Sequence, residues 1–282
     1  MRTGQTGITE IDYIWEGTYP CFADAAQDAV GPGFSGPIYG QRSMSAAQEC
    51  LAALASKIPI PAFHKQRTTL LPAVVAMMLA EREDLKVLDF GGGLGIGFMS
   101  CLENIAVAAS QLKYTIVELP EVAARARSLL ADYNIIYLDA LPAGDTFDIV
   151  YAASSVQYIE HYTELLAQLC GYQAKYILLS DVFAGPIPTF ATLQNYYGSR
   201  IPHWFLNLDE LLNLMRVAGY NLILSTTATG TRLNAADILP MTNFPVRYQL
   251  SHSLHLLFRL NPTLDGTAPK TKYVFHTSVP NS

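Results

Sequence analysis

The sequence predicts an α/β fold in which a mostly parallel sheet follows an N-terminal helical extension. First, short apolar runs alternate with amphipathic stretches after the charged cluster at 81–84, which is typical of a parallel α/β sheet. Second, the first of these runs leads directly into a glycine-rich turn. Third, 50% of the 282 residues are apolar, which is enough to build one sizeable core.

Two regions with different composition divide the chain. Residues 1–84 are rich in Gly, Pro and Ala, contain no segment with the pattern of a strand, and are predicted to form the helical extension or lid. Helices are predicted there over 44–57 and 67–83. Residues 85–282 are predicted to form the domain that contains the sheet.

Apolar runs predict five parallel strands. These strands are Val87–Leu88, Tyr114–Val117, Ile135–Leu138, Phe147–Tyr151 and Tyr176–Leu179. Two later strands, rich in β-branched and aromatic residues, are predicted at Tyr220–Leu224 and Tyr273–Val279. Residues 139–146, between the third and fourth strands, are too few for a crossover helix, so this connection is expected to be nearly straight.

Helices between the strands are predicted from apolar residues at helical spacing. They cover 97–110, 162–169, 208–215 and 246–260. The helix at 208–215 also has boundary signals, because Asn207 can act as its N-cap with Glu210 three residues later, and Gly219 follows its end.

Composition excludes several classes of protein. The net charge of −6 and pI near 5.5 leave no basic surface for nucleic acid. The longest apolar stretch, Leu70–Ala80, is about half of the roughly 20 residues that a membrane span requires. The N-terminus lacks a secretory h-region, and four widely spaced cysteines are interpreted as reduced core residues. We therefore expect a soluble cytoplasmic protein with no membrane span.

The turn after the first strand is the most specific motif. Glycines let the backbone turn sharply and let a ligand approach closely. A dinucleotide fingerprint, G-x-G-x-x-G, fails because Ile96 or Phe98 occupies its sixth position. The pattern D-x-G-x-G-x-G fits instead, with its acid and glycines at Asp89, Gly91, Gly93 and Gly95.

This pattern resembles motif I of class I S-adenosylmethionine-dependent methyltransferases. The resemblance implies a Rossmann-like sheet of order 3-2-1-4-5-7-6 with the seventh strand antiparallel. It also implies S-adenosyl-L-methionine as the cofactor. The loop residues expected to hold this cofactor are Asp89, Gly91, Gly92, Gly93 and Gly95.

Residues at the ends of the next strands extend the predicted cofactor site. Glu118, followed by Leu119, resembles the family's ribose-binding acid; the alternative, an acid that begins the helix at Pro120, is less favoured. Asp139 and Ala140 match the position near the adenine amine, and Asp139 is equally compatible with a simple turn. After the fourth strand the usual acid or Asn is missing, and Ser154 is the candidate there.

A narrower resemblance, to a group of bacterial methyltransferases, rests on the segments Trp15-Glu16-Gly17, LDFGGGLG, VELP, SSVQYI and IPHWF. It implies O- or N-methylation of a small-molecule or glycan acceptor. His203, in the loop expected to follow the fifth strand, is a candidate base, as is His64 in the extension, and Tyr158 is a candidate near the acceptor.

Other interpretations remain open at this point. The chain could be a non-catalytic S-adenosylmethionine-binding partner protein, since the acid after the fourth strand is missing. A nicotinamide-dependent oxidoreductase or epimerase is the second alternative, which the glycine spacing disfavours. No metal site is predicted, because His252 and His255 have no acid nearby. A homodimer is the assembly considered.

Overall fold

Strands and helices alternate along most of the chain. The computed structural model describes residues 13–196, 198–228 and 238–262. The strands in this part are β1 (Trp15–Tyr19), β2 (Leu85–Phe90), β3 (Leu112–Val117), β4 (Ile135–Leu138), β5 (Ile149–Ala153), β6 (Tyr176–Val182), β7 (Ala184–Gly185), β8 (Phe190–Tyr196), β9 (Ser199–Asn207), β10 (Tyr220–Thr227) and β11 (Leu254–Leu260). The α-helices are α1 (Phe22–Gln27), α2 (Pro37–Ala55), α3 (Ala62–Lys65), α4 (Leu71–Leu79), α5 (Ile96–Asn104), α6 (Ala108–Gln111), α7 (Pro120–Leu129), α8 (Tyr162–Gly171) and α9 (Leu208–Val217).

A seven-stranded sheet forms the centre of the fold, in the order β4-β3-β2-β5-β6-β11-β10. Counted along the chain within this sheet, the order is 3-2-1-4-5-7-6, as expected. β2 to β6 are parallel to one another, whereas β11 is antiparallel to both β6 and β10. β6 is buried along its whole length, which explains the continuous apolar run of its first four residues, Tyr176–Leu179. The predicted α/β fold is therefore confirmed.

The seventh strand lies elsewhere than the sequence predicts. Residues 254–260 form β11, preceded by a single 3₁₀ turn at Val246–Tyr248, so the helix predicted over 246–260 is wrong. Leu256 and Phe258 are buried there because β11 pairs along both of its edges, with β6 and β10. This tertiary pairing overrides the local helical spacing. The strand predicted at Tyr273–Val279 lies outside the described residues.

The connection between β4 and β5 was expected to be straight, and it contains no helix in the described chain. β4 is the edge strand and β5 lies three positions away across the sheet. The segment 139–148 must cover this distance and return along the strand direction, which leaves no residues for a helical crossover.

A second sheet, of order β1-β8-β9-β7, corrects two predictions. The extension contains a strand after all, since Trp15 of β1 pairs with Gln194 of β8. The segment 201–205 lies within β9 and is not a loop. β1 could not be recognised locally, because only its first residue is buried and its partner strand lies far along the chain.

The other predicted helices are present, but they differ from the predictions at several ends. α2 begins earlier than predicted, α4 is shorter, and the stretch 97–110 is divided into α5 and α6. The predicted N-cap is confirmed, because Oδ1 of Asn207 accepts the N–H of Glu210 at 3.0 Å. α2 and α4 pack on α5, so part of the extension shares one core with the central sheet.

No helix within the described ranges is both long enough and apolar enough to cross a membrane. All four cysteines are free. Cys50, Cys101 and Cys170 are buried as predicted, but Cys21 is exposed just before α1. The interpretation of Cys21 as a core residue is therefore wrong.

Candidate active site

The glycine-rich loop joins β2 to α5 at the carboxyl edge of the sheet. Positive φ angles of 56–82° occur at Gly91, Gly93 and Gly95. A Cβ atom at Gly92 would lie 2.5 Å from Oδ2 of Asp89, so the loop is packed tightly on the strand beneath it. At Gly93, in contrast, a Cβ would meet no heavy atom of the described chain within 4 Å. Gly93 therefore faces open space where a ligand can approach the backbone.

Glu118, at the end of β3, contacts this loop directly. Its Oε2 accepts the N–H of Gly93 at 2.9 Å, and its Oε1 accepts the N–H of Leu119 at 2.8 Å. Desolvation raises the pKa of Glu118, although these two backbone hydrogen bonds act to lower it. A carboxylate can accept about four hydrogen bonds, so Glu118 retains capacity for about two more donors. This capacity matches a cis-diol beside the loop.

Asp89 supports the loop from below. Its side chain is only 1% exposed, and its Oδ2 accepts the hydroxyl of Tyr114 at 2.7 Å. Desolvation raises the pKa of Asp89 to about 7, although the Tyr114 hydrogen bond acts to lower it. Oδ1 of Asp89 has no hydrogen-bond partner among the described residues. The structure assigns Asp89 contacts with the protein itself, and its predicted contact with a cofactor stays a prediction.

The remaining predicted cofactor residues lie at the same edge of the sheet. The N–H of Glu118 bonds the carbonyl of Leu138 at 2.9 Å, so Asp139 and Ala140 follow immediately beside it, both exposed. Ser154 follows β5 and has a φ of 52°, a strained value for a residue with a side chain. The edge thus joins the ends of β2 to β5, where open α/β sheets bind ligands.

Tyr158 lies just beyond this edge, in the 3₁₀ turn Val156–Tyr158. Its hydroxyl donates to Oε1 of Gln194 at 2.7 Å. The Tyr158 ring packs between those of Phe34 and His203, with centroid separations of 4.8 and 5.2 Å. Tyr158 thus connects the central sheet, through its 3₁₀ turn, to β8 and β9 of the second sheet.

His203 does not lie in a loop above the cofactor site, and that part of the prediction is wrong. It belongs to β9 and is completely buried. Aromatic rings surround it, with centroids 4.7 Å away at Phe183, 5.0 Å at Phe205 and 5.9 Å at Trp15. A catalytic base must be able to reach the proton that it removes. The packing among these rings gives a structural reason, and not a catalytic one, for a histidine at this position. Its catalytic role stays a prediction.

His64 lies in α3, within the extension. Its Nε2 is 2.8 Å from Oε2 of Glu49 in α2. The neighbouring Lys65 is 2.7 Å from Glu103 of α5, so α3 is fixed to the sheet domain. These contacts connect His64 to helices of the extension, and its predicted roles as a base and in a lid stay predictions.

Asp181 is the polar residue at this edge that the sequence did not single out. It is the second-last residue of β6, is 3% exposed and has a φ of 54°. Its Oδ2 lies 2.9 Å from Nε of Arg67, and its Oδ1 accepts the hydroxyl of Ser253 at 2.6 Å. The available signal was an acid close behind an apolar run, since one serine separates Asp181 from Tyr176–Leu179, whereas Asp89 and Glu118 follow their apolar runs directly.

A metal centre has no support in the described part of the chain. No group of three or more His, Cys, Asp or Glu side chains there is arranged to hold a metal ion.

A sheet of order 3-2-1-4-5-7-6, with a glycine loop after its first strand and an acid after its second, defines a Rossmann-like class of protein. Within this class the family is clear. The family model for a methyltransferase domain matches residues 63–225, more than half of the chain. The chain therefore belongs to this methyltransferase family.

Individual relatives are more distant. A protein-L-isoaspartate O-methyltransferase from Methanocella arvoryzae is 40% identical over 76 residues, which cover 26% of this chain and 39% of the relative. The chain thus spans about two fifths of the length of that curated relative.

Among solved structures, a 1,6-didemethyltoxoflavin-N1-methyltransferase from Burkholderia thailandensis is 16% identical, with a TM-score of 0.48 over 83% of this chain and 94% of that chain. A magnesium protoporphyrin IX methyltransferase from Synechocystis PCC 6803 is 13% identical, with a TM-score of 0.46 over 70% of this chain and 80% of that chain.

Proposed function

We propose that the protein transfers a methyl group from S-adenosyl-L-methionine to an oxygen or nitrogen of a small molecule or glycan. The observation that carries this proposal is the hydrogen bond of 2.9 Å between the N–H of Gly93 and the carboxylate of Glu118. It joins the open part of the glycine loop to the acid at the end of the neighbouring strand. Membership of the methyltransferase family supports the same reaction.

The residues of this edge have distinct roles in the proposal. Gly93 leaves room for the cofactor, Gly91 lets the loop pack closely against Ser155, and Glu118 accepts hydrogen bonds from the ribose hydroxyls of the cofactor. Asp139 and Ala140 border the adenine, and Ser154 borders the methionine part. The bound cofactor supplies an electrophilic methyl group on a sulfonium. The protein then has to align the acceptor atom with that methyl group.

A proton must leave many oxygen and nitrogen acceptors during methyl transfer. Tyr158 is the candidate nearest to the predicted cofactor residues, four positions after Ser154. Gln157 is completely buried, and its Nε2 is 3.1 Å from Oγ of Ser154, which ties the 3₁₀ turn to the cofactor edge. Tyr158 is therefore held in a fixed position relative to that edge, as a group that orients an acceptor must be.

The proposal is tested by calorimetry of the purified protein with S-adenosylhomocysteine. We expect one binding site per chain, with a matched titration of NADH giving no heat of binding. Binding of NADH in place of S-adenosylhomocysteine would overturn the proposal in favour of the nicotinamide alternative.

A non-catalytic S-adenosylmethionine-binding protein is the second candidate function. The burial of His203 favours it, because this removes one of the two candidate histidine bases from direct contact with solvent. Release of S-adenosylhomocysteine in a size-fractionated extract of small molecules would exclude this candidate. Such turnover is expected to disappear in the Gly93→Val variant.

The division into an extension (1–84) and a sheet domain (85–282) and the formation of a homodimer are further parts of the proposal. The packing of α2 and α4 on α5 indicates that the extension and the sheet domain unfold together. A single thermal transition would show that the two regions unfold together, and a light-scattering mass of two chains would support the dimer. Separate transitions would support a mobile lid, and a mass of one chain would exclude the dimer.

A further inference from the structure

Beside the cofactor edge lies a group of side chains of which the proposed function uses only Tyr158. We propose that this group, the Arg67 cluster, binds the methyl acceptor, and that the acceptor combines a planar ring with a carboxylate or phosphate group. The cluster consists of the guanidinium of Arg67 and the rings of Phe34, Tyr39, Tyr158 and Tyr196. This inference rests on the proposed function, because only a transferase needs an acceptor.

Arg67 is held in place by the central sheet. Its backbone carbonyl accepts the hydroxyl of Tyr151, from β5, at 2.9 Å. Its Nε lies 2.9 Å from the carboxylate of Asp181, at the end of β6. The Asp181 side chain is 4% exposed, whereas the Arg67 side chain is 53% exposed. Arg67 is thus anchored from below and accessible from solvent, which limits the entropy lost when a ligand binds.

The charge at this position suits an acidic ligand. Neighbouring protein atoms partly desolvate the guanidinium, although half of the side chain is exposed, and this desolvation lowers the pKa of Arg67. The Asp181 carboxylate raises the pKa by more, so the net shift is upward. Phenol groups add smaller contributions that also raise this pKa, from Tyr158, Tyr196 and Tyr39. Arginine has five N–H donors in a planar fork, and Asp181 engages the Nε side. A second carboxylate or a phosphate fits this donor geometry.

The rings of the cluster come from four different segments. Phe34 is central, with centroids 4.8 Å from Tyr158, 5.2 Å from Tyr39 and 5.4 Å from Tyr196. All four rings are partly exposed, so they form part of a surface and not a closed core. Aromatic side chains contact planar ligands through stacked or edge-to-face arrangements. A ring in the acceptor would therefore gain contacts that an aliphatic acid would not.

The cluster lies close to the glycine loop. Oγ of Ser155 donates to the carbonyl of Phe90 at 2.9 Å, and a Cβ at Gly91 would come within 2.5 Å of Ser155. Tyr158 follows Ser155 by one turn of 3₁₀ helix. An acceptor on the Arg67 cluster would consequently lie beside the part of the loop where the methyl donor is proposed to bind, as alignment of the two requires.

The test measures binding of three probes to protein saturated with S-adenosylhomocysteine, by ligand-observed NMR. The probes are 4-hydroxybenzoate, phenyl phosphate and phenol. We expect at least one of the two acids to bind about tenfold more tightly than phenol, despite the net charge of −6. The acid that binds more tightly identifies the preferred anionic group. Arg67→Gln is expected to lower the affinity for that acid to the affinity for phenol. Equal binding of all three probes to the unaltered protein would overturn the proposal.

Arg82→Gln is the matched control for charge. Arg82 is also paired with a carboxylate, that of Asp148, and is 51% exposed, but it lies before β2 at the opposite edge of the sheet. This variant is expected to keep the preference for the acid. If Arg82→Gln abolished the preference as completely as Arg67→Gln, the effect would come from overall charge and the proposal would be wrong.

Loss of Arg67 leaves the buried Asp181 carboxylate without its ion-pair partner, which can destabilise the fold. The double variant Arg67→Gln/Asp181→Asn removes both charges and should lose the preference in the same way. If neither variant folds, the comparison of acids with phenol on the unaltered protein still decides the question. Failure to bind S-adenosylhomocysteine would refute the proposed function. Normal binding of S-adenosylhomocysteine without a preference for acids would refute only the acceptor inference.

Discussion

Tyr114 and Asp89 form a buried pair beneath the glycine loop, with the phenol hydroxyl of Tyr114 donating to Oδ2 of Asp89 across 2.7 Å. Both side chains are 1% exposed. Tyr114 lies on β3 and Asp89 on β2, so the pair connects the two strands whose ends carry the proposed cofactor site. Oδ2 of Asp89 also lies directly below Gly92. The protonation state of one buried carboxyl group is therefore coupled to the support of the loop.

Stability is expected to depend on pH through Asp89. Burial raises the folded-state pKa of Asp89 from 3.8 to about 7, so the folded state holds a proton that the unfolded state releases. The contribution of this group to stability is thus fully present below about pH 4 and decreases as pH rises to about 7. Asp89→Asn removes this titration. Between pH 5 and 8 the free energy of unfolding of the variant, relative to the unaltered protein, should rise by on the order of 3 kcal/mol.

Urea unfolding at several pH values measures this difference, and Tyr114→Phe provides the control. The Tyr114 hydrogen bond lowers the pKa of Asp89, so its removal should extend the pH-dependent range above 7. A difference between Asp89→Asn and the unaltered protein that is constant with pH would show that Asp89 does not titrate in this range.

Gly93→Val should abolish binding of S-adenosylhomocysteine, reducing affinity by at least about 100-fold, because the side chain would occupy the space in which the cofactor approaches the backbone. Gly93 has a φ of 56°, so the valine also strains the loop. Gly144→Val is the matched control. Gly144 has a φ of 78°, and a Cβ there also meets no described heavy atom within 4 Å. Both variants should lose about 1–3 kcal/mol of stability, but only Gly93→Val should lose binding.

The central sheet and the cofactor loop could be predicted because the residues that determine them are close together in the sequence. The runs that became β3 and β6 are apolar over several successive residues, since both faces of a parallel sheet are covered. The glycines at 91, 93 and 95 all adopt left-handed backbone angles, so their spacing directly reflects the shape of the loop.

The second sheet and the assembly of the Arg67 cluster could not be predicted, because they depend on contacts between distant segments. β1 is a strand only because β8 pairs with it, and Arg67 becomes part of a site only where it meets Asp181. β11 shows the same limitation, since its neighbours β6 and β10 determine its conformation. Single-sequence periodicity contains none of these long-range pairings.

Glu118→Gln should weaken binding of S-adenosylhomocysteine by about 10- to 100-fold, which corresponds to about 1–3 kcal/mol for lost charge-assisted hydrogen bonds. The amide keeps one acceptor oxygen but replaces the other with a donor, which cannot accept either the N–H of Gly93 or a ribose hydroxyl. Glu121→Gln is the control, since Glu121 is an exposed acid in the first turn of α7. Calorimetry of both variants decides the assignment, and equal affinities would remove Glu118 from the site.

His203→Ala should destabilise the protein by about 2–4 kcal/mol, because it leaves a cavity within a packed aromatic cluster. His203 is completely buried, and the ring centroid of Phe183 is only 4.7 Å away. His161→Ala is the control, since His161 is exposed at the start of α8 and its loss should change stability by less than about 0.5 kcal/mol.

Urea unfolding compares the two variants, with binding of S-adenosylhomocysteine as the second measurement. We expect His203→Ala to retain affinity within about threefold, because packing and not cofactor contact explains the residue. A small loss of stability together with a complete loss of methyl transfer would instead support the predicted role of His203 as a base.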